Sequence, residues 1–302
     1  MKETDSLYIS FHGFWPRFLE DEQNNVSFFK ELFSDVSEQL IIQNDPDKSD
    51  ILVSTYGSEM KKRDDAINLL YISEPSNDKE GFDLVIAGID ETKYPFRIVN
   101  IPLFISYLYC NNLLDKCISK KTVSKVPSMF CCFIVSNPNA KERNAIFHIL
   151  SSYKKVDSCG LALNNTGVLL THEYGSQEFF NFISQYKFII CGENTKMENY
   201  ITEKIFHGYL SHTIPIYYGS DYSKKIFHPN SYLCLEDTSN DSFINLFEQV
   251  VQIDNDDNKW LEMVNSPVFI NNQLPEELQM NTLKHKVKNN ITQIFDLKKS
   301  IL

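Results

Sequence analysis

The sequence predicts an α/β protein made of two Rossmann-like domains facing each other across a cleft. Three observations lead there. Short apolar runs bounded by polar or turn residues alternate with segments of helical periodicity, the pattern of buried parallel strands joined by crossover helices. The alternation stops after residue 110 and resumes near residue 129. A chain of 302 residues is also long for one simple domain and comfortable for two.

The first array opens with a strand at 6–11 (SLYISF). Phe28, Phe29, Leu32, Phe33, Val36 and Leu40 recur at helical spacing, so 27–40 is expected to be a helix. The runs at 50–54, 69–73 and 83–87 are short and apolar, as buried strands are. Residues 111–127 are polar, carry Lys116, Lys120, Lys121 and Lys125, and end in a proline. The expected division is therefore an N-terminal domain at 1–115, a linker at 116–127, a C-terminal domain at 128–272 and a C-terminal helical segment at 273–302.

The second array starts with a strand at 129–136 (MFCCFIVS) and a helix at 141–153. A helix at 177–186, a strand at 187–192, a helix around 201–211 and strands at 213–219 and 231–237 follow. Residues 273–297 are polar with sparse apolar positions at helical spacing, among them Leu283, Val287, Ile291 and Ile294. Open α/β sheets bind ligands beyond the carboxyl ends of their strands. Functional residues are therefore sought in the loops that follow strands.

Composition removes several function classes. About 42% of residues are hydrophobic and 23% charged, which is ordinary for a globular protein. A net charge of −11 argues against nucleic-acid binding, which needs basic surface to displace counterions. It leaves room for an anionic small ligand. No apolar run approaches the roughly 18 residues of a membrane helix, so no integral membrane segment is expected. The seven cysteines are odd in number and irregularly spaced, and Cys131-Cys132 sit inside an apolar run. They read as reduced thiols, which predicts a cytoplasmic location. Histidines are scattered, with no H-E-x-x-H or paired C-x-x-C. The one acidic cluster is Asp254, Asp256 and Asp257; its neighbours Asn255, Asn258 and Lys259 read as solvated loop, so no metal site is expected. Neither a P-loop nor a G-x-S-x-G elbow occurs.

The richest polar stretch is GENTKMENYITEKIFHGYLSHTIPIYYGS, residues 192–220. The strand before it presents Glu193 and Asn194 at its carboxyl end. A helix is expected to begin near Asn199–Thr202, either of which can act as N-cap. Glu203 and His207, four apart, then share one face. Lys204 falls in the first turn, where a cation opposes the helix dipole, an arrangement that makes sense if an anion such as a phosphate sits there. The same residues also fit a solvated Glu-Lys pair on a surface helix.

This stretch closely resembles the donor-binding signature of the α1,3/α1,4-fucosyltransferases: an Asn after an acidic residue, then Tyr-Val/Ile-Thr-Glu-Lys, then a Pro-containing strand ending in Gly. FCCFIVSNPNAKERNAIFHILSSYKKVDSCG, 130–160, is similar to the family's Phe-Val-x-Ser-Asn-Pro loop, Arg-containing helix and Val-Asp-Ser-Gly-Gly turn. LYISEPSNDKEGFDLVIAGID, 70–90, resembles the stretch that holds its proposed catalytic Glu. The resemblance runs over residues 70–235. It implies a GT-B fold and inversion at the anomeric carbon. It also implies roles: Glu74 as general base, Arg143 and Lys204 as diphosphate cations, Asn194 and Tyr200 as donor contacts, and Glu203 as the carboxylate near the fucose ring. Two departures stand out. Gly192 replaces an aromatic, and Cys159 replaces the first glycine of the glycine pair.

Two further groups come from position alone. Ser136 and Asn137 follow a strand and are a candidate nucleotide loop. Phe14 and Trp15 follow the first strand and either stack on an acceptor sugar or plug the core. His207 is expected to hydrogen-bond locally and is given no role. The expected function is an inverting fucosyltransferase. L-fucose would move from GDP-β-L-fucose to a hydroxyl of an oligosaccharide or glycoconjugate, α1,3 on N-acetylglucosamine or glucose of a β-galactoside. No cofactor is required on this reading, and a divalent metal is at most stimulatory. The alternatives are a GT-B transferase using another nucleotide sugar and a noncatalytic glycan-binding relative.

Overall fold

The computed structural model describes residues 6–15, 17–20, 25–55, 62–72, 81–94, 97–120 and 122–301. The chain divides into two compact units, Met1–Leu113 with Glu198–Tyr200 and Leu274–Leu302, and Leu114–Met197 with Ile201–Gln273.

The first unit holds a six-stranded sheet: β1 (Ser6–His12), β2 (Gln39–Ile42), β3 (Ile51–Ser54), β4 (Ile67–Ile72), β5 (Leu84–Ala87) and β6 (Ile98–Asn100). The spatial order is β2-β1-β3-β4-β5-β6, and every pairing is parallel. β3, β4 and β5 are buried at every position, which is why they read as unbroken apolar runs. The expected helix at 27–40 is shorter: α1 covers Ser27–Phe33 and β2 takes over Leu40. Local side-chain bonds explain the stop. The Ser34 hydroxyl turns back to the Glu31 carbonyl at 2.8 Å, and the Ser37 hydroxyl bonds the Gln39 carbonyl at 3.2 Å. Such bonds compete with helix continuation. Leu40 and Ile41 then pair with Leu7 and Tyr8.

α2 (Leu103–Cys110) follows β6, and α10 (Met280–Ile301) completes the first unit against α1, β4 and β6. Leu283, Val287, Ile291 and Ile294 form its buried stripe. Lys284 reaches Glu31 at 3.1 Å, Lys286 reaches Glu91 at 3.1 Å and Lys298 reaches Asp83 at 3.1 Å.

The second unit begins within the polar stretch, where Leu114–Ile118 form α3. Its sheet comprises β7 (Met129–Phe133), β8 (Val156–Ser158), β9 (Tyr186–Ile190), β10 (Ile214–Tyr217) and β11 (Leu233–Cys234). The order is β11-β10-β9-β7-β8, again all parallel. The helices are α4 (Lys141–Ser151), α5 (Gln177–Ile183), α6 (Lys204–Leu210), α7 (Ser223–Ile226), α8 (Asn240–Asp254) and α9 (Asp257–Val264). The stretch around Asp254 is thus not a solvated loop. Asp254 closes α8 buried, with Lys187 at 3.2 Å, Lys154 and the Tyr153 hydroxyl as partners, while Asp256 caps α9. Both units are therefore parallel-sheet α/β domains.

Candidate active site

β7 and β9 are neighbours, but the chain leaves β7 toward β8 on one side and runs from β9 to β10 on the other. The crevice beyond their carboxyl ends is a topological switch point, where such sheets bind ligands. A cavity of about 220 Å³ opens there. Ser136 and Asn137 from the loop after β7, Arg143, Asn194, Glu203 and Lys204 all line it.

Arg143 comes from α4, whose inner face is Arg143, Ile146, Phe147 and Leu150, one helical stripe. Its place on that stripe aims the guanidinium inward, and the residue is 1% exposed. A buried charge is tolerated only when it is hydrogen-bonded. Nη1 donates to the Gly192 carbonyl and to Asn194 Oδ1, each at 3.1 Å, and Nη2 donates to the Asn137 carbonyl at 2.9 Å. One side chain therefore joins α4, the β7 loop and the end of β9. Asn144 supports the loop by donating to the Pro138 carbonyl at 2.7 Å.

α6 begins at Lys204, with Glu203 at the N-cap position and no side-chain cap bond. The expected start at Asn199–Thr202 is too early. The cause is Glu193, which was expected at the end of the preceding strand but given no role. Its side chain is fully buried. Oε1 accepts the Thr202 N–H at 2.7 Å, and Oε2 accepts the Thr202 hydroxyl at 2.8 Å and Lys204 Nζ at 3.2 Å. Thr202 is thereby held outside the helix. Lys204 also stands 3.8 Å from Glu203 Oε1. A first-turn lysine here thus has anions of its own, so its position alone does not require a bound phosphate. Burial pushes the Glu193 carboxyl up, while Lys204 and the Thr202 N–H pull it back.

His207 lines the cavity with its ring 4.9 Å from that of Phe179 and 6.0 Å from that of Tyr174. Burial lowers its pKa from 6.5 to about 4.

The two departures have different consequences. A Cβ at Gly192 would meet Tyr218 at 3.3 Å, a tight contact. Gly160 is the glycine the backbone demands, since a Cβ there would lie 2.2 Å from the Val135 carbonyl oxygen. Cys159 beside it is buried without such a clash and is one of seven free thiols.

Glu74 is outside the described residues. Tyr200 is buried and does not line the cavity. It belongs with Glu198–Tyr200 to the first unit, where Glu198 accepts the Asp90 N–H at 2.9 Å and the Tyr94 hydroxyl at 3.1 Å. Phe14 and Trp15 sit beyond β1, at the first sheet's own switch point between β1 and β3. They line a cavity of about 310 Å³ with Phe11, Phe18 and the Arg17–Glu20 ion pair. The two aromatics differ in burial. Phe14 is half-buried, 4.2 Å from the Phe18 ring and parallel to Tyr71, whereas Trp15 is 52% exposed.

Among the described residues no group of three or more His, Cys, Asp or Glu is placed to hold a metal ion, and no helix is long and apolar enough to cross a membrane.

Residues 123–266 match the model of glycosyltransferase family 10 (fucosyltransferase), C-terminal part. An α-(1,3)-fucosyltransferase of Helicobacter pylori is 38% identical over 135 residues, 45% of this chain and 27% of that protein. A putative fucosyltransferase of Acanthamoeba polyphaga mimivirus is 25% identical over 256 residues, 82% of this chain and 41% of that protein. The chain thus spans well under half the length of these curated relatives. A crystal structure of an α1,3-fucosyltransferase with GDP superposes with a TM-score of 0.75 at 24% identity, covering 96% of this chain and 92% of that one.

Proposed function

We propose that this chain, whose residues 123–266 match the model of glycosyltransferase family 10 (fucosyltransferase), is an inverting fucosyltransferase. The donor is GDP-β-L-fucose. The acceptor is a glycan hydroxyl, α1,3 on N-acetylglucosamine or glucose of a β-galactoside. The observation that carries this reading is the convergence of Arg143, Asn194, Glu203 and Lys204 on one cavity at the switch point of the second sheet.

The chemistry follows from these groups. The acceptor oxygen attacks C1 of fucose while the C1–O bond to the diphosphate breaks, and GDP leaves with the electron pair. Glu74 takes the acceptor proton, the task of a carboxylate general base. Arg143 and Lys204 offset the charge that grows on the leaving diphosphate. Glu203 faces the positive charge that develops on the sugar ring. Trp15 offers its exposed indole face to an acceptor sugar.

A thermal-shift panel of GDP, GDP-fucose and UDP-sugars tests the donor. Stabilisation by GDP and GDP-fucose is expected. Stabilisation by a UDP-sugar alone would overturn the assignment, and GDP release that no glycan in a broad array accelerates would favour a noncatalytic binder.

A further inference from the structure

Glu193, a buried carboxylate 3.2 Å from the Lys204 ammonium, has no task in the proposed reaction. A fully buried carboxylate is costly unless each oxygen is satisfied. The niche that satisfies it is built for the purpose. Its backbone N–H donates to the Tyr218 carbonyl at 2.7 Å, and the Tyr217 hydroxyl reaches Oε1 at 3.5 Å. Gly219 leaves the room: a Cβ there would stand 2.3 Å from the Tyr217 hydroxyl and 2.9 Å from Glu193 Cγ.

Its remaining bonds all go to Thr202 and Lys204. The Thr202 hydroxyl donates to Glu193 Oε2 at 2.8 Å and accepts from Lys204 Nζ at 3.0 Å, while Nζ also donates to Oε2 at 3.2 Å. The Lys204 ammonium therefore rests on a two-oxygen seat anchored at the end of β9. A lysine side chain carries large rotamer entropy, and a seat that holds it before the ligand arrives removes that loss from binding.

We propose that Glu193 is a positioning residue that sets the place of the Lys204 ammonium, directly and through Thr202. The proposal rests on the reading of Lys204 as a diphosphate contact.

A double-mutant cycle on the full chain, read by GDP titration and by turnover, tests it. Lys204→Ala should weaken GDP binding by about ten- to a hundredfold, the scale of a charge-assisted hydrogen bond. Glu193→Gln keeps the shape and removes the counter-charge. It should weaken GDP binding severalfold, although a negative charge has been taken away from an anion site. In the Glu193→Gln background Lys204→Ala should then cost only about two- to twentyfold, because the double variant should bind GDP no more weakly than Lys204→Ala alone. A merely structural role would leave the two losses multiplying. Multiplicative losses, or tighter GDP binding by Glu193→Gln, overturn the positioning role and leave the donor assignment standing. No loss from Lys204→Ala overturns both. Should Glu193→Gln fail to fold, Thr202→Val takes its place, removing the hydroxyl bridge while keeping the backbone N–H, with the same sub-additivity expected.

Discussion

The Arg143 guanidinium donates to the Asn194 side-chain oxygen at 3.1 Å, which locks helix α4 to the loop after β9. Because the same group also bonds the Gly192 and Asn137 carbonyls, Arg143 is part of the fold as well as of the proposed phosphate site.

Arg143→Ala is therefore expected to lose GDP binding and stability together. Unmaking charge-assisted bonds and leaving their acceptors unsatisfied costs about 3 kcal/mol. For a chain of 302 residues that lowers Tm by about 5 °C. Arg143→Lys keeps the charge but not the planar fork, and should fall between the two. Differential scanning calorimetry with GDP titration decides it; an unchanged Tm in the alanine variant would show that the three bonds contribute little.

Lys204 and Glu74 should fail differently. Lys204→Ala weakens GDP and donor binding and slows transfer, because charge builds on the leaving phosphate. Glu74→Gln keeps the shape, leaves GDP affinity near that of the wild type and lowers turnover by about a hundredfold or more. Pre-steady-state kinetics with GDP titration separates the two patterns. Normal turnover in Glu74→Gln would move the base to another carboxylate.

Activity is expected to persist in EDTA, on the proposal that Arg143 and Lys204 serve the diphosphate. Assays before and after chelation read it directly. Complete loss restored by Mn²⁺ or Mg²⁺ would reveal a metal requirement.

His207 predicts a pH dependence of folding. Burial holds its pKa near 4, against 6.5 ordinarily, with Glu203 raising it and Lys204 lowering it. Between those values the unfolded chain binds the proton and the folded chain does not. Stability is thus full above pH 6.5 and is lost as pH falls toward 4, by about 3 kcal/mol from this group. Denaturant titrations at pH 7.5 and 5 should show a smaller difference in His207→Gln than in the wild type. An equal difference would assign the acid sensitivity elsewhere.

Trp15 and Phe14 should also separate. Trp15→Ala is expected to raise acceptor KM with little change in Tm or GDP affinity, given its exposed ring. Phe14→Ala removes a ring packed on Phe18 and parallel to Tyr71 and should destabilise the first unit by about 2–3 kcal/mol. An unchanged acceptor KM in Trp15→Ala would return that indole to the plain surface.

Much of the fold was legible in the sequence because buried parallel strands leave an unbroken apolar signature: β3, β4, β5, β7 and β9 were all expected close to where they lie. Motif resemblance singled out Arg143 and Lys204, and position after a strand singled out Ser136 and Asn137; the structure brings all four to one cavity. β2, β6 and β8 were missed, being three or four residues long and, in β2, continuing a helical apolar pattern past the Ser34 turn.

The sequence by itself determined the two parallel arrays, the chemical types at the ends of their strands and the absence of a nucleic-acid-binding charge balance, since these depend on composition and local period. Only the tertiary structure decided that Glu193 seats Lys204 and holds Thr202 out of α6, that His207 is buried against Phe179, and that Phe14 packs while Trp15 faces outward. Those are contacts between residues nine to 28 positions apart, or differences in burial between neighbours. They arise from where strands and helices meet in space, a relation that local periodicity does not encode.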